Sequence, residues 1–244
     1  MLVVFATAVA GCDIVSRRLG EWRQLDPTSI APVDPPNPAL AGDAVVATAR
    51  RSVVKTVGVA NSCQRQLEGS GFVIAPNRVM ATAHSVAGAD AISVELDQAT
   101  YRAKVLSYDP QADISILDVP DLTAPPMEFV EAPAQSGTDA LILGYPGGLD
   151  FAATPSRVRQ VVNLDGPDIY QTTTVTREVY AISGSVKQGD SGGPLISLDG
   201  RVLGVLFGSA VDEPEMGFAL TAHEVARQIV NVGTEPVATG DCIG

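Results

Sequence analysis

From residue 52 to about residue 220 the chain is a succession of short runs rich in Val, Ile and Leu, broken by Gly, Pro, Asn and Asp. Runs this short, bounded by turn formers and without a 3.6-residue repeat, predict strands rather than helices. A first set comprises Ser52–Ala60, Gly71–Ile74, Val79–Thr82, Ile92–Leu96, Tyr101–Tyr108 and Ile114–Val119. Pro76-Asn77 and Asp97-Gln98 supply two of its turns. The proline-rich stretch Pro120–Pro126 then interrupts the pattern. A second set follows: Ala140–Gly144, Arg157–Leu164, Val179–Gly184, Pro194–Ser197, Arg201–Phe207 and Gly217–Ala219. Asp199-Gly200 is a two-residue hairpin signal within it. Two sets of six strands predict an all-β double barrel, one barrel in residues 43–126 and the other in 127–244 together with a short C-terminal helix.

That helix is predicted from Thr221-Ala-His-Glu224, which has the form of a capping box, and from Val225 and Ile229 on one face at i, i+4. Ala44–Arg51 has room for one or two helical turns. Ahead of it, Gln24–Gly42 holds Pro27, Pro32, Pro35, Pro36 and Pro38 without apolar periodicity, so residues 17–42 read as an extended linker. Residues 2–12 are uncharged and mostly apolar, but the run stops at Asp13, well short of the ~20 residues a spanning helix needs. Residues 1–16 are therefore read as the tail of a membrane anchor. A lipoprotein-type site at Val9-Ala-Gly-Cys12 is the competing reading, and it lacks the basic n-region such a signal requires.

The balance of 16 Lys and Arg against 28 Asp and Glu gives a net charge of −12, which excludes a nonspecific phosphate-binding surface and hence nucleic acid as a partner. Cys12, Cys63 and Cys242 have no metal-site or C-x-x-C spacing, so no metal and no cofactor is implied. A Cys63–Cys242 disulfide closing the folded region is expected, in an oxidising compartment. Two unpaired buried thiols are the alternative.

Candidate chemistry enters at Gly189-Asp-Ser-Gly-Gly-Pro194, where a serine hydroxyl sits among glycines that let backbone N–H groups converge. A serine needs a base within hydrogen-bond reach to act as a nucleophile. There are 2 histidines. His223 falls in the first turn of the predicted helix, where a solvated or capping role suffices. His84 follows a predicted strand in Met80-Ala-Thr-Ala-His84 and is the candidate base for Ser191. A buried carboxylate must orient it. Of Asp109, Asp113 and Asp118, the first reads as a turn before Pro110 and the last as a strand exit, which leaves Asp113.

Thr82-Ala-His84, Ala112-Asp-Ile114 and Gly189-Asp-Ser191-Gly-Gly-Pro194, in the order His, Asp, Ser, resemble the trypsin-like and chymotrypsin-like serine proteases. The proline-rich lead-in, Leu143-Gly-Tyr-Pro-Gly-Gly148, Gly166-Pro-Asp-Ile-Tyr170 and the flanking cysteines are similar to the membrane-anchored periplasmic acid-resistance serine proteases of mycobacteria and other actinobacteria. The resemblance implies a serine endopeptidase working through an acyl-enzyme on protein or peptide substrates, outside the cytoplasmic membrane and tethered to it. Because an anchor already localises it, the protease domain is expected to be monomeric. It further implies an oxyanion hole from the N–H groups of Gly189 and Ser191, an S1 pocket floored by Ser185, and substrate pairing along Phe207, Gly208 and Ser209, a stretch that reads equally as an ordinary strand end. With Ser185 uncharged, neutral and mainly apolar P1 residues are expected unless Asp212, Glu213 or Glu215 bends into the pocket. Ser85 and Ser115 stand where relatives more often carry an apolar residue, which puts local packing in question. A protease-like domain that binds peptides without turnover is the rival reading.

Overall fold

The structure, a computed structural model, describes residues 30–210, 212–230 and 232–243. The anchor tail expected at 1–16 and the first part of the linker lie outside them. Twelve strands occur among the described residues: β1 Val53–Ala60, β2 Arg65–Ala75, β3 Arg78–Ala81, β4 Ala91–Leu96, β5 Ala99–Asp109, β6 Ile114–Asp118, β7 Asp139–Gly144, β8 Ala152–Pro167, β9 Thr174–Ser183, β10 Pro194–Ser197, β11 Val202–Ser209 and β12 Met216–Thr221. They close into two antiparallel barrels, in the orders β1-β2-β3-β6-β5-β4 and β10-β11-β12-β9-β8-β7. Helix α1 (Ala44–Ala49) precedes the first barrel and α2 (Ala222–Val230) follows the second.

Neighbouring residues on a strand point to opposite faces, and here many strands bury both. Val54, Val73, Val79 and Leu117 fill the first barrel. Their neighbours Val53, Phe72, Met80 and Ile116 pack outside it, with Leu141, Leu143, Val179 and Ile196, in a core shared between the barrels. Ile142, Ile182, Leu195 and Leu206 fill the second barrel. Burial on both faces explains why these strands read as continuous apolar runs instead of alternating ones.

Two expectations need correction. The linker is not extended throughout: Pro38–Gly42 forms a 3₁₀ turn capped by the Asn37 side chain. Before it, Ile30 is buried, and the carbonyls of Ile30 and Ala31 accept from Arg159. At α2 the capping box is half made. Thr221 Oγ1 accepts from Glu224 N (3.1 Å), but the Glu224 carboxylate turns to Glu178 N (3.0 Å) and ties the helix to β9.

Cys63, in the turn after β1, is bonded to Cys242 across a sequence separation of 179. Chain-entropy arithmetic for so long a loop gives at most about 5 kcal/mol of stabilisation. Reduction of the purified protein is accordingly expected to lower its unfolding temperature by several degrees. Identical melting curves with and without reductant would contradict this.

Candidate active site

The three residues singled out by motif sit on three loops at the seam between the barrels. His84 follows β3, Asp113 lies in the turn between β5 and β6, and Ser191 lies in the loop before β10. Asp113 is buried, and its left-handed backbone (φ 58) turns the side chain back toward His84. Asp113 Oδ1 accepts from His84 N (2.9 Å), and Oδ2 accepts from His84 Nδ1 (2.7 Å). This double contact fixes the ring's orientation and places the proton on Nδ1, leaving Nε2 as the basic atom. Burial alone would lower the His84 pKa, but the charge of Asp113 and its hydrogen bond together raise it above the ordinary value. His84 Nε2 lies 3.5 Å from Thr82 Oγ1, and among the described residues Ser191 Oγ makes no hydrogen bond. Nucleophile–base bonds in unliganded sites commonly tighten only when substrate is bound.

The serines expected to disturb packing instead hold the His84 segment. Ser85 Oγ (2.8 Å) and Ser115 Oγ (3.0 Å), both buried, donate to the Thr82 carbonyl. Asp109 forms the expected turn, its Oδ1 accepting from Gln111 N and Ala112 N at 2.9 Å each. Asp118 pairs with Arg78, away from His84. His223 is exposed on α2.

The turn that carries Asp113 is clamped from the second barrel by residues that no motif marks. Buried Arg177 on β9 donates through Nε to Gln111 O (2.8 Å), and Gln228 on α2 donates to Asp109 Oδ2 (2.8 Å). Their partners lie 66 and 119 residues away in sequence, so neither had a local signature.

The Ser191 and His84 segments meet around Gly69 on β2. A Cβ there would lie 3.2 Å from Ser191 O and 3.0 Å from Ser85 Cβ. Gly189 (φ 95) holds a backbone conformation that side chains resist, and a Cβ on it would collide with the Tyr145 carbonyl oxygen. The N–H groups of Asp190, Gly192 and Gly193 bond to Lys187 O, Leu206 O and Asp190 O. Among the described residues the N–H groups of Gly189 and Ser191 make no such bond. Two uncommitted donors in the serine's own loop are available to stabilise an oxyanion.

Asp190 is buried and accepts from Lys187 N (2.8 Å). Burial pushes its carboxyl up to about 6, against the opposing pull of the Lys187 N–H and ammonium. A carboxyl that is harder to ionise folded than unfolded makes the native state less favourable as pH rises from about 4 to about 6. His84 acts in the same direction, since a raised imidazole pKa adds stability that is complete below about pH 6.5 and is lost as pH climbs through the folded value. Asp190→Asn is therefore expected to gain on the order of 3 kcal/mol relative to the parent at pH 7.5 and only about 1 kcal/mol at pH 4.5. Denaturant unfolding at both pH values checks this, and an equal difference at the two would contradict it.

Ser185 follows the end of β9 and is half-buried. Glu213 is engaged by Arg159 (2.6 Å), and Asp212 and Glu215 are exposed. Gly208 and Ser209 pair with Phe218 and Gly217 of β12, and the extra residue Phe207 forms a bulge. The Phe207 side chain is buried in the shared core, so it presents no side-chain surface to a ligand.

Comparison with known proteins bears on the family and the fold. Residues 69–205 match the trypsin-like peptidase domain. The chain is 52% identical over 218 residues to the serine protease Rv3671c of Mycobacterium tuberculosis, covering 88% of this chain and 55% of that protein. It is also 31% identical over 191 residues to a probable periplasmic, DegP-like serine endoprotease of Halomonas elongata, covering 71% of this chain and 37% of that one. The chain thus spans about half the length, or less, of these relatives. It superposes on the crystal structure of the active form of the Rv3671c protease with a TM-score of 0.87, covering 88% of this chain and 96% of that one at 52% identity. With the inactive form the TM-score is 0.76 at 51% identity, covering 84% of this chain and all of that one. With its two six-stranded barrels and its Gly-Asp-Ser-Gly-Gly-Pro loop, the chain belongs to the trypsin-like peptidases, as a serine protease domain of chymotrypsin-like fold.

Proposed function

We propose that this domain is an endopeptidase in which Ser191 attacks the scissile carbonyl, His84 takes its proton through Nε2, and Asp113 holds the ring and stabilises the imidazolium. The observation that carries this reading is the His84–Asp113 pair set beside a loop whose Gly189 and Ser191 N–H groups are uncommitted. The tetrahedral oxyanion would lie between those two donors. Collapse would give an acyl-enzyme, and His84 would return the proton to the leaving amine. Substrate would add as a strand along Phe207, Gly208 and Ser209, where β11 runs on past the β10 register. Phe207 would contribute its backbone alone. Both barrels and all three residues come from one chain, which supports a domain that acts as a monomer.

A location outside the cytoplasm is supported by the Cys63–Cys242 bond and by the periplasmic naming of the DegP-like relative. Tethering to the membrane and a role in stress or acid resistance rest on the resemblance of the lead-in and motifs. No helix among the described residues is long and apolar enough to cross a membrane. The test of the acyl-enzyme is rapid mixing with an activated ester, which should release one equivalent of leaving group in a burst before slow turnover. Steady release without a burst, when acylation is the faster step on that ester, would oppose it.

With Ser185 uncharged and Glu213 held by Arg159, cleavage is expected after neutral, mainly apolar P1 residues. A peptide library cut chiefly after Lys or Arg would contradict this assignment.

A further inference from the structure

We infer that the Ser70 hydroxyl is a positioning group that locks the oxyanion loop in its donor-out orientation by tying it to the Tyr145–Gly148 turn. The inference rests on Gly189 and Ser191 forming the oxyanion hole. A trans peptide points its C=O and N–H in opposite directions, so whatever captures the carbonyl sets the direction of the N–H. Each carbonyl of this loop is captured. Gln188 O, on the peptide that carries the Gly189 N–H, accepts from Gly147 N (2.6 Å). Asp190 O, on the peptide that carries the Ser191 N–H, accepts from Gly193 N (2.9 Å). The peptide between them is held at both ends: Gly189 O accepts from Ser70 Oγ (2.7 Å), and Asp190 N donates to Lys187 O (3.0 Å).

Ser70 has no exposed surface, and its other contacts extend the brace. Its Oγ accepts from Tyr145 N (2.9 Å), and its own N–H donates to Ser191 O (2.8 Å). One residue of β2 in the first barrel therefore holds the nucleophile's carbonyl, the oxyanion loop and the Tyr145 turn of the second barrel. That turn also supplies the Gly147 N–H, from a left-handed backbone (φ 68) suited to glycine. The Leu143-Gly-Tyr-Pro-Gly-Gly148 motif, which the triad leaves unexplained, acquires a role as the outer buttress of the loop. Loss of the Ser70 hydroxyl would free Gly189 O and Tyr145 N together, leaving the central peptide held only through Asp190 N, which donates to Lys187 O (3.0 Å), and the loop less firmly set. The triad side chains would be untouched, since Ser70 hydrogen-bonds neither His84 nor Asp113 and meets Ser191 only through its own backbone N–H, which the substitution keeps.

The experiment compares the parent with Ser70→Ala, Ser70→Cys and Ser191→Ala, using a small ester substrate and a peptidyl boronic acid as transition-state analogue. For Ser70→Ala, kcat is expected to fall about 10- to 100-fold with KM within about threefold. The boronate inhibition constant should rise by the same factor as kcat falls, and the acid limb of the pH profile should stay in place. Ser70→Cys, with a weaker donor of similar shape, should fall between the two and carries the test if Ser70→Ala does not fold. A folded Ser70→Ala or Ser70→Cys with parental kcat would overturn the inference. So would a loss of activity accompanied by a displaced acid limb, which would place Ser70 in the His84 pathway. Parental activity in Ser191→Ala would instead overturn the assignment of the site itself, so the two failures are separable.

Discussion

Ser191→Ala is expected to lower kcat/KM on peptide and ester substrates by about five to six orders of magnitude, the cost of losing the nucleophile in comparable serine proteases. Catalysis of about 10³ to 10⁴ over water should survive, because the Gly189 and Ser191 N–H groups would still polarise a bound carbonyl. The substitution deletes one partly exposed oxygen that makes no hydrogen bond among the described residues, so folding stability should change by less than about 0.5 kcal/mol. Steady-state kinetics together with thermal unfolding of the same preparation separate the two effects. Parental rates in a folded variant would remove Ser191 from the reaction.

Asp113→Asn is expected to reduce kcat by about 10⁴ while leaving KM nearly unchanged. The amide would keep an oxygen for His84 N but present N–H to Nδ1, and the ring would answer by moving its proton to Nε2. The base would then face Ser191 as a donor. The pH profile carries the second half of this result. In the parent, Asp113 outweighs burial and holds the His84 pKa above its ordinary value, so the acid limb of kcat/KM should lie above about pH 6.5. Without the carboxylate the cost of burial is unopposed and the limb should move to lower pH. A parental limb below pH 6, or an unmoved limb in the variant, would show that Asp113 does not set the titration of the base.

Much of the scaffold was legible because burial on both strand faces leaves an unbroken apolar run. Each of the two predicted sets of six matches one barrel. What the runs understated were strand ends that leave the core. β2 begins at Arg65 with exposed Gln66 and Glu68, and the β8–β9 hairpin extends through polar Asn163, Asp165 and Thr176 to the Pro167–Thr174 pair. Backbone pairing carries those segments outward without apolar side chains, so hydrophobic pattern has nothing to report there. In the linker, proline content suggested a spacer, but the Asn37 cap and the Arg159 contacts fold its last part onto β8.

At the site, motif spacing located the residues that carry polar chemistry but not the ones that hold them. His84, Asp113 and Ser191 each stand in a short sequence signature. Arg177, Gln228 and Ser70 reach Gln111, Asp109 and Gly189, each at least 66 residues away, through hydrogen bonds that leave no periodic trace. Gly189 and Gly147 were visible as glycines. Their reasons, a collision with Tyr145 O in one case and a carbonyl-capturing turn in the other, needed the second barrel in place. Phe207 shows the opposite limit. Its place at the end of the predicted strand Arg201–Phe207 was legible, while the bulge that turns its ring into the core was not.

The central claim, that Ser191 is a nucleophile activated by His84 and Asp113, is tested most directly by covalent capture with a fluorophosphonate followed by peptide mass mapping. The parent is expected to take up one phosphonyl group on the peptide containing Ser191, at a rate that falls in acid along the titration of His84. Asp113→Asn should label far more slowly, and Ser191→Ala should not label. A folded parent that resists labelling, or that carries the adduct on another residue, would contradict the account and favour a protease-like domain that binds peptides without cleaving them.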